Sequence, residues 1–421
     1  MSEIAVPVRP AAAGFGNLRH LALASFYLGL SFTWLPYPLV ILQSQINDLF
    51  PPGQRNTVIG YTTSAGAVFA VLVPPLVGAW SDGLTTRWGR RRPLMVGGAL
   101  VSVVGLLLMM TASNYLQLLV GHLIVQCFLN GSAAAYYAII PDVVPEHEFG
   151  KASGFLAGMT QAGGLLGFAL TTVMGGLHQV RLSYSVMAVM LLVSVIPVLW
   201  AARGEGSRPV ERGQMGRDLL NTFLRPFWTG DFAWVIFTRM MIVAGVAAVA
   251  FFLSNFFRDV VGVANPDQFT SIWLGVVFAS MILPGLWGGA ASDRYGRKIF
   301  VYASGAFQAA VALFFIIFYP THPGIVLGLA VFYGLGYGLY FAVDWALACD
   351  TVPDRVKAAK DMGLFHVAQT LPNSLVPLAL GPLIDYFNRQ SPNSGYRVAF
   401  ASVIFFFLLG TVFVRRIRSV R

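Results

Sequence analysis

The sequence predicts an all-α membrane protein with twelve transmembrane helices arranged as two six-helix repeats. Three observations lead to this prediction: the apolar composition, the number of apolar runs long enough to cross a bilayer, and two motifs that each occur twice at nearly the same spacing. Hydrophobic residues make up 56% of the chain and charged residues only 11%, whereas soluble domains average about 25% charged residues. Such a composition is typical of a chain that lies mostly in lipid.

Apolar runs separated by short polar segments define the individual helices. A helix needs about 20 apolar residues to cross the hydrocarbon core, and runs such as 182–202 meet this length. The first run is too long for the apolar region of a signal peptide, so we expect it to be retained. In chain order, the predicted helices are 20–45, 57–80, 93–112, 114–140, 151–175, 182–202, 230–257, 268–291, 298–319, 323–349, 361–386 and 396–414.

The lysine and arginine residues determine the predicted orientation. With the N-terminus inside, 22 of the 28 cations fall in inside segments, 5 fall outside and Arg239 falls within a helix. The positive-inside rule therefore predicts that both termini are cytoplasmic. The same distribution argues against nucleic acid as a partner, because the cations lie in short gaps between apolar runs and not on a basic face or tail. The two cysteines, Cys127 and Cys349, form neither a disulfide framework nor a metal-ligand pattern.

Two pairs of motifs indicate an internal repeat. The stretch GAWSDGLTTRWGRRRP (78–93) is paralleled by GGAASDRYGRKIF (288–300), which places Asp293 at a distance of 211 residues from Asp82. Similarly, PDVVPEHEFGKASG is paralleled by CDTVPDRVKAAKDMG, which places Asp350 at 208 residues from Asp142. Two motifs at nearly one offset predict two related halves. The predicted units are an N-terminal half (1–202), a cytoplasmic linker (203–227) and a C-terminal half (228–421).

Twelve helices in two halves, with Asp-x-x-Gly-Arg-Lys loops after helices 2 and 8, resemble the major facilitator superfamily over essentially the whole chain. Within that superfamily, SDGLTTRWGRRRP is similar to a loop of the sucrose-type symporters, which are relatives of the glycoside–pentoside–hexuronide:cation symporters. The resemblance implies a secondary active transporter whose halves rock around a central site. One departure concerns helix 4, where plant sucrose transporters carry an Asp and this chain has Gln126. A glutamine does not titrate, so the sucrose assignment is not carried over.

The resemblance also implies a conformational latch at the cytoplasmic helix ends. In the superfamily these loops bridge the two halves when the transporter faces outward. The alternative is that the charges only fix topology and are otherwise solvated. The predicted gating residues are Asp82, Arg87, Arg90, Arg91, Asp142, Lys151, Asp293, Arg297, Asp350 and Lys360.

Two ionisable residues inside predicted helices are candidates for coupling. Asp344 lies six residues, about 9 Å, from Asp350, and Arg239 lies eight residues, about 12 Å, from Asp231. Both positions fall at similar depth, on helices 10 and 7, which face the central cavity in the superfamily. We therefore expect an Arg239–Asp344 pair. It is either the coupling group, in which a proton or substrate at Asp344 releases Arg239, or a static pair that fixes the packing of two helices.

Polar side chains share one face on helix 4 and on helix 11, at spacings of three and four residues. Amides both donate and accept hydrogen bonds, and aromatic rings cover sugar C–H faces, so the pattern suits a polyhydroxylated ligand. Hydrogen bonding between helices is the alternative. The predicted substrate-binding residues are His122, Gln126, Asn130, Gln161, His366, Gln369, Asn373, Tyr27 and Trp34.

These features together predict a cation-coupled transporter of a sugar or glycoside-like solute. The sequence has no Walker A loop and no His-Glu-x-x-His or Gly-x-Ser-x-Gly motif, so we expect neither ATP hydrolysis nor another enzyme activity. We expect a monomer in a bacterial-type plasma membrane, with no metal and no cofactor beyond a coupling proton or sodium ion. Efflux of amphipathic small molecules is the alternative transport function. A non-transporting sensor or a lipid scramblase is the alternative from another class.

Overall fold

The computed structural model of the chain describes residues 15–203, 230–351 and 367–418. Within these ranges, twelve helices are long and apolar enough to cross a membrane, which confirms the predicted number. The helices are α1 Asn17–Leu49, α2 Arg55–Asp82, α3 Arg92–Met110, α4 Tyr115–Val143, α5 Phe149–Gly176, α6 Ser183–Ala201, α7 Gly230–Val261, α8 Pro266–Tyr295, α9 Arg297–Phe318, α10 Pro323–Thr351, α11 Val367–Gln390 and α12 Ser394–Phe413.

The last turns of α1 are helical although they are polar, so the predicted end at residue 45 was too early. Gln45 is buried because its amide donates to the carbonyl of Met109 at 2.7 Å and accepts from the hydroxyl of Tyr184 at 3.0 Å. The predicted helix ended at the first polar residues because the prediction was based on hydropathy. The neighbouring helices satisfy this amide, as burial in a membrane protein requires. The predicted start of α11 at residue 361 falls outside the described residues.

Both α1 and α7 contain a π-helical segment, at Tyr37–Ile41 and at Phe257–Val261. In α1 the cause is visible in the sequence, because Pro36 and Pro38 have no N–H with which to continue the regular hydrogen-bond ladder. The wider turn absorbs this irregularity. Its first residue, Tyr37, is fully buried and is directed toward α4.

Glycines allow α5 to approach α1 closely. A Cβ atom on Gly163 would lie 2.4 Å from the carbonyl oxygen of Leu28, and one on Gly167 would lie 2.6 Å from that of Phe32. Small residues at helix contacts are how transmembrane helices gain van der Waals packing without a hydrophobic driving force. Within the predicted N-terminal half, α1 packs on α5 and α6, and α3 packs on α4 and α6.

The largest contacts between the two predicted halves are made by two helix pairs, α2 with α11 and α5 with α8. Hydrogen bonds between the halves, among the described residues, lie on the side of the bundle where α2 and α8 begin. This side is opposite to the arginine-rich loop 87–92 and is the predicted outer side. The seam between the halves is therefore held together on its predicted outer side.

The close contact between α1 and α5 predicts a strong position dependence for glycine substitutions in α5. Gly163→Ala should destabilise the protein by about 1–3 kcal/mol, because its Cβ atom would displace the α1 backbone. Gly158→Ala is the matched control in the same helix, since its Cβ atom meets nothing within 4 Å. Thermal unfolding of both variants in detergent measures the difference. Equal melting temperatures would contradict this packing.

Candidate functional site

A cavity of about 400 Å³ lies between the two predicted halves. Its volume falls within the range of small-molecule sites, roughly 300–1,000 Å³. Six of the nine predicted substrate-binding residues line it: Trp34, His122, Gln126, Asn130, Gln369 and Asn373. The other lining residues are Leu35, Pro38, Leu39, Thr63, Ala67, Ala70, Val246, Val249, Ala250, Phe251, Trp273, Leu274, Val277, Phe278, Tyr333, Tyr337, Thr370 and Ser374.

The wall contributed by α4 is a preorganised polar network. The Gln126 amide nitrogen donates to the Tyr37 hydroxyl at 2.6 Å. The Asn130 amide nitrogen donates to the Gln126 backbone carbonyl at 2.7 Å and to its side-chain oxygen at 3.1 Å. The Tyr37 hydroxyl also lies 3.4 Å from Nδ1 of His122. These contacts fix the orientation of the Gln126 amide, which reduces the entropy lost when a ligand binds to it.

The predicted ion pair lies behind the opposite wall, next to Gln369. Arg239 on α7 and Asp344 on α10 form a salt bridge, and each residue is less than a tenth exposed. A second guanidinium nitrogen of Arg239 donates to the side-chain oxygen of Gln369 at 2.8 Å. Gln369 itself lines the cavity, and its backbone carbonyl accepts from the amide of Asn373 at 2.8 Å. A group bound at Gln369 is therefore one hydrogen bond away from the ion pair.

The described lining of the cavity carries no acidic or basic side chain other than the imidazole of His122. Among the described residues that line it there is no Asp, Glu, Lys or Arg. Hydrogen-bonding groups come from amides and hydroxyls, and rings come from α1, α7, α8 and α10. A charged ligand would lose its hydration without an ionic partner in the lining, which is costly in a low-dielectric site. The arrangement can hold a neutral molecule with both hydroxyl groups and apolar faces.

Three predicted binding residues are not part of the described lining. Tyr27 lies within the N-terminal half, where its ring is 6.0 Å from that of Tyr136 and 5.4 Å from that of Tyr137. Gln161 is half-buried on α5 and does not reach the cavity. His366 lies outside the described residues. Residue type alone could not separate Tyr27 from Trp34, because the direction of each side chain depends on how α1 packs.

Sequence reasoning missed the apolar part of the lining. Val246 and Val249 on α7 and Trp273 on α8 face the cavity, yet in the sequence they resemble residues that face lipid. One usable signal was present: Tyr333 and Tyr337 are four residues apart and therefore share a face of α10. Their hydroxyl groups mark that face as one that does not point into hydrocarbon.

The described gating residues form ion pairs inside each half. In the N-terminal half, Asp142 accepts from Nη2 of Arg90 at 2.7 Å and from Nε of Arg91 at 2.7 Å. In the C-terminal half, Nε of Arg297 lies 2.7 Å from Asp350, and Nη2 lies 3.4 Å from Asp293. In each half, an arginine at or just before the start of the third helix is bound to the end of the fourth. In this conformation these pairs do not join one half to the other.

The remaining gating residues make no latch contact that the structure describes. Arg87 and Lys151 are exposed to solvent. Lys360 and the side chain of Asp82 lie outside what the structure describes. Next to Lys151, hydrogen bonds from the side chain of His20 and from the backbone N–H of Phe15 lower the pKa of Glu148. Glu148 therefore stays ionised and ties the start of α1 to the start of α5. The gating roles remain predictions.

The contrast between Asp142 and Asp293 gives a test of these ion pairs. Asp142→Asn should lower the melting temperature more than Asp293→Asn, because two nearly buried guanidinium groups would lose a carboxylate charge. Asp293 is 69% exposed, and exposed pairs contribute only about 0–1 kcal/mol. Thermal unfolding of both purified variants decides this, and an equal or larger effect of Asp293→Asn would contradict it.

Known proteins resemble this chain at low identity over most of its length. The cis,cis-muconate transport protein of Acinetobacter baylyi (strain ATCC 33305 / BD413 / ADP1) is 22% identical over 361 residues, covering 82% of this chain and 83% of that protein. The lactose permease of Leuconostoc lactis is 23% identical over 356 residues, covering 75% of this chain and 52% of that protein.

Two solved structures share the fold. The nucleoside transporter NupG superposes with a TM-score of 0.70 at 15% identity, over 96% of this chain and 100% of that chain. A bacterial homolog of the human lysosomal transporter Spinster, in an inward-facing and unoccupied conformation, superposes with a TM-score of 0.69 at 15% identity, over 95% of each chain.

The family model for the Major Facilitator Superfamily matches residues 19–377 and 286–421. Together these two matches extend from the first to the last of the twelve described helices. The expectation of a transporter and not an enzyme agrees with this match and with the transporters that resemble the chain. The chain is thus an integral, multi-pass membrane protein and belongs to the Major Facilitator Superfamily.

Proposed function

We propose that this protein is a secondary active transporter that moves a small uncharged solute of the sugar or glycoside type by alternating access. The observation that carries the proposal is the cavity wall, which combines fixed amides with aromatic rings and lacks acidic and basic side chains other than His122 among the described residues. Amides pair with hydroxyl groups in either direction. The rings of Trp34, Trp273 and Phe278 offer flat apolar surfaces to the C–H faces of a sugar ring.

The unequal distribution of contacts along the seam between the two halves supports alternating access. The halves are hydrogen-bonded on the predicted outer side, and the predicted gating pairs on the other side remain within their own halves. A molecule in this conformation is closed to the outside at the seam. Rocking of the two halves would have to break the outer contacts and form new ones at the cytoplasmic helix ends.

Coupling to a cation is assigned to the Arg239–Asp344 pair. A proton on Asp344 would remove the charge that holds Arg239, and breaking one side of a buried pair costs about 3–5 kcal/mol. Because Arg239 also donates to Gln369, its release would change a hydrogen bond at the cavity wall. A static pair that only fixes α7 against α10 is the competing interpretation, and it predicts no link between ligand binding and pH.

The named ligands of the two relatives differ in charge. Lactose is neutral, whereas muconate is a dicarboxylate anion. The uncharged lining favours the neutral class. Efflux of amphipathic compounds stays the competing transport function, because the apolar part of the wall would also accept such molecules.

A thermal-shift panel tests the substrate class. Purified protein is incubated with sugars and glycosides, with cis,cis-muconate and with amphipathic drugs, and its melting temperature is recorded. A ligand that binds the native state raises this temperature. We expect a sugar or glycoside to do so and muconate not to. Stabilisation by muconate alone, or by drugs alone, would replace the proposed class.

The coupling role predicts that Asp344→Asn removes the pH dependence of ligand stabilisation over roughly pH 4 to 8, where carboxylates and imidazoles titrate. His122→Gln is the control, because this imidazole is the one Asp, Glu, His, Lys or Arg side chain in the described lining of the cavity. A pH dependence that survives in Asp344→Asn but disappears in His122→Gln would move the coupling site to His122. A pH-independent wild type would support the static pair.

Two of the three predicted glutamines, Gln126 and Gln161, give a test of the cavity itself. Gln126→Ala should weaken ligand binding by roughly tenfold, because an amide that lines the cavity and its contact with Tyr37 are lost. Gln161→Ala is the matched control on α5, outside the cavity lining, and should bind the ligand as the wild type does. Titration of the ligand identified in the panel measures both affinities. A larger loss in Gln161→Ala would place the site elsewhere.

A further inference from the structure

The first turn of α2 is bound tightly by side chains from the other half of the molecule. Asp385 on α11 accepts a hydrogen bond from the Asn56 amide at 2.8 Å. It also accepts from the backbone N–H of Thr57 at 2.8 Å and from the Thr57 hydroxyl at 2.7 Å. Asn255 on α7 donates to the side-chain oxygen of Asn56 at 2.8 Å. The Asn56 amide is thus shared between two helices of the C-terminal half.

The carboxylate of Asp385 is fully buried, with 0% of the residue exposed. Its three hydrogen-bond donors all come from α2, and one of them is a backbone N–H in the first turn of that helix. Such N–H groups have no partner within the helix, and the helix dipole favours an anion there. A buried carboxylate that depends on donors from the opposite half loses all of them when the halves separate at this point.

Steric fit strengthens the same contact. A Cβ atom on Gly381 of α11 would lie 2.2 Å from the carbonyl oxygen of Asn56, and one on Gly60 of α2 would lie 2.2 Å from that of Pro377. The two helix backbones therefore touch directly, and only glycine fits at both positions. Next to them, Asn56 and Asn255 are each 1% exposed, so the contact excludes water.

This contact lies between the cavity and the predicted outer surface. Thr63, which lines the cavity, is six residues further along α2 than Thr57, or about 9 Å. Arg389, near the end of α11, donates to the carbonyl of Gly53 at 3.1 Å and continues the contact toward the surface. Any path from the outside to the cavity along the α2–α11 seam has to pass this point.

We propose that Asp385 is the locking residue of the outer gate: its buried carboxylate caps the first turn of α2 across the seam and keeps the cavity closed to the outside. The proposal rests on alternating access and deepens it by naming the contact that must break for the outward-open state to form. Asp385 does not touch the solute. It sets how often the outer side opens, because the energy of its three hydrogen bonds is available only in the closed state.

Cysteine accessibility tests the lock without any knowledge of the substrate. The two native cysteines are replaced by Cys127→Ser and Cys349→Ser, and Ala67→Cys is introduced as a probe in the cavity wall. A membrane-impermeant maleimide is then added to the outer face of right-side-out vesicles, and the labelling rate is measured. In the parent we expect slow labelling, because the outer side is closed. Asp385→Ala should raise the rate by roughly tenfold or more.

Two further variants keep the test decisive if Asp385→Ala does not fold. Gly381→Ala should also raise the outer labelling rate, because its Cβ atom separates α11 from α2 without removing a charge. Thr57→Val should raise it by a smaller factor, since it removes one of the three donors. Gly78→Ala is the matched control, because it lies near the other end of α2 and its Cβ atom meets nothing within 4 Å. It should label as the parent does.

The outcomes of the labelling experiment distinguish a failure of the proposed lock from a failure of the proposed substrate class. Faster outer labelling in Gly381→Ala and Asp385→Ala but not in Gly78→Ala supports the lock, even if no sugar binds in the thermal-shift panel. Unchanged outer labelling in these variants, with melting temperatures that show intact folding, would overturn the lock and leave the substrate proposal untouched. Equal acceleration in Gly78→Ala would also overturn it, because any small change in α2 would then open the seam.

Discussion

A chain in lipid has to satisfy its polar groups from within, and this constraint accounts for most of what the structure does. The backbone is satisfied by helices, so the side chains decide how the helices meet. Gln45 finds partners on α3 and α6, and Asp385 finds them on α2. Each polar residue inside the bundle thereby specifies which helices are neighbours. The same requirement makes polar contacts between the halves useful as switches, because separation leaves them unpaired unless water enters.

The two ends of the molecule use charge differently. At the arginine-rich end, Asp142 and Asp350 pair with arginines of their own half, and these pairs survive any rigid rotation of that half. At the opposite end, Asp385 depends on donors from the other half. Rotation of one half against the other would break these hydrogen bonds. Pairs inside a half make that half a rigid body, and contacts across the seam decide its position. Both kinds are needed for rocking of intact units.

The central cavity combines a polar wall with a buried ion pair behind that wall. Its wall is polar enough to hold a hydroxylated solute, and its hydrogen bonds are preorganised by Tyr37 and Asn130. Arg239 and Asp344 are paired behind Gln369 and do not belong to the described lining. In the proposed function, this separation would let a neutral solute bind without desolvation of an ion, and the hydrogen bond between Gln369 and Arg239 would connect the solute to the ion pair.

The sequence by itself determined the twelve helices, the family and the Arg239–Asp344 pair, because long apolar runs, loop motifs and intramembrane charges are local patterns. Six of the nine predicted binding residues line the cavity, and five of these were found because spacing by three and four places them on one face of α4 and one face of α11. Only the tertiary structure separated Trp34 from Tyr27 and revealed the apolar wall of α7 and α8. Only it brought Asp385 to the first turn of α2, across 328 residues of chain. Such contacts depend on how helices pack, and in a membrane the packing follows from shape and from small residues, which hydropathy does not record.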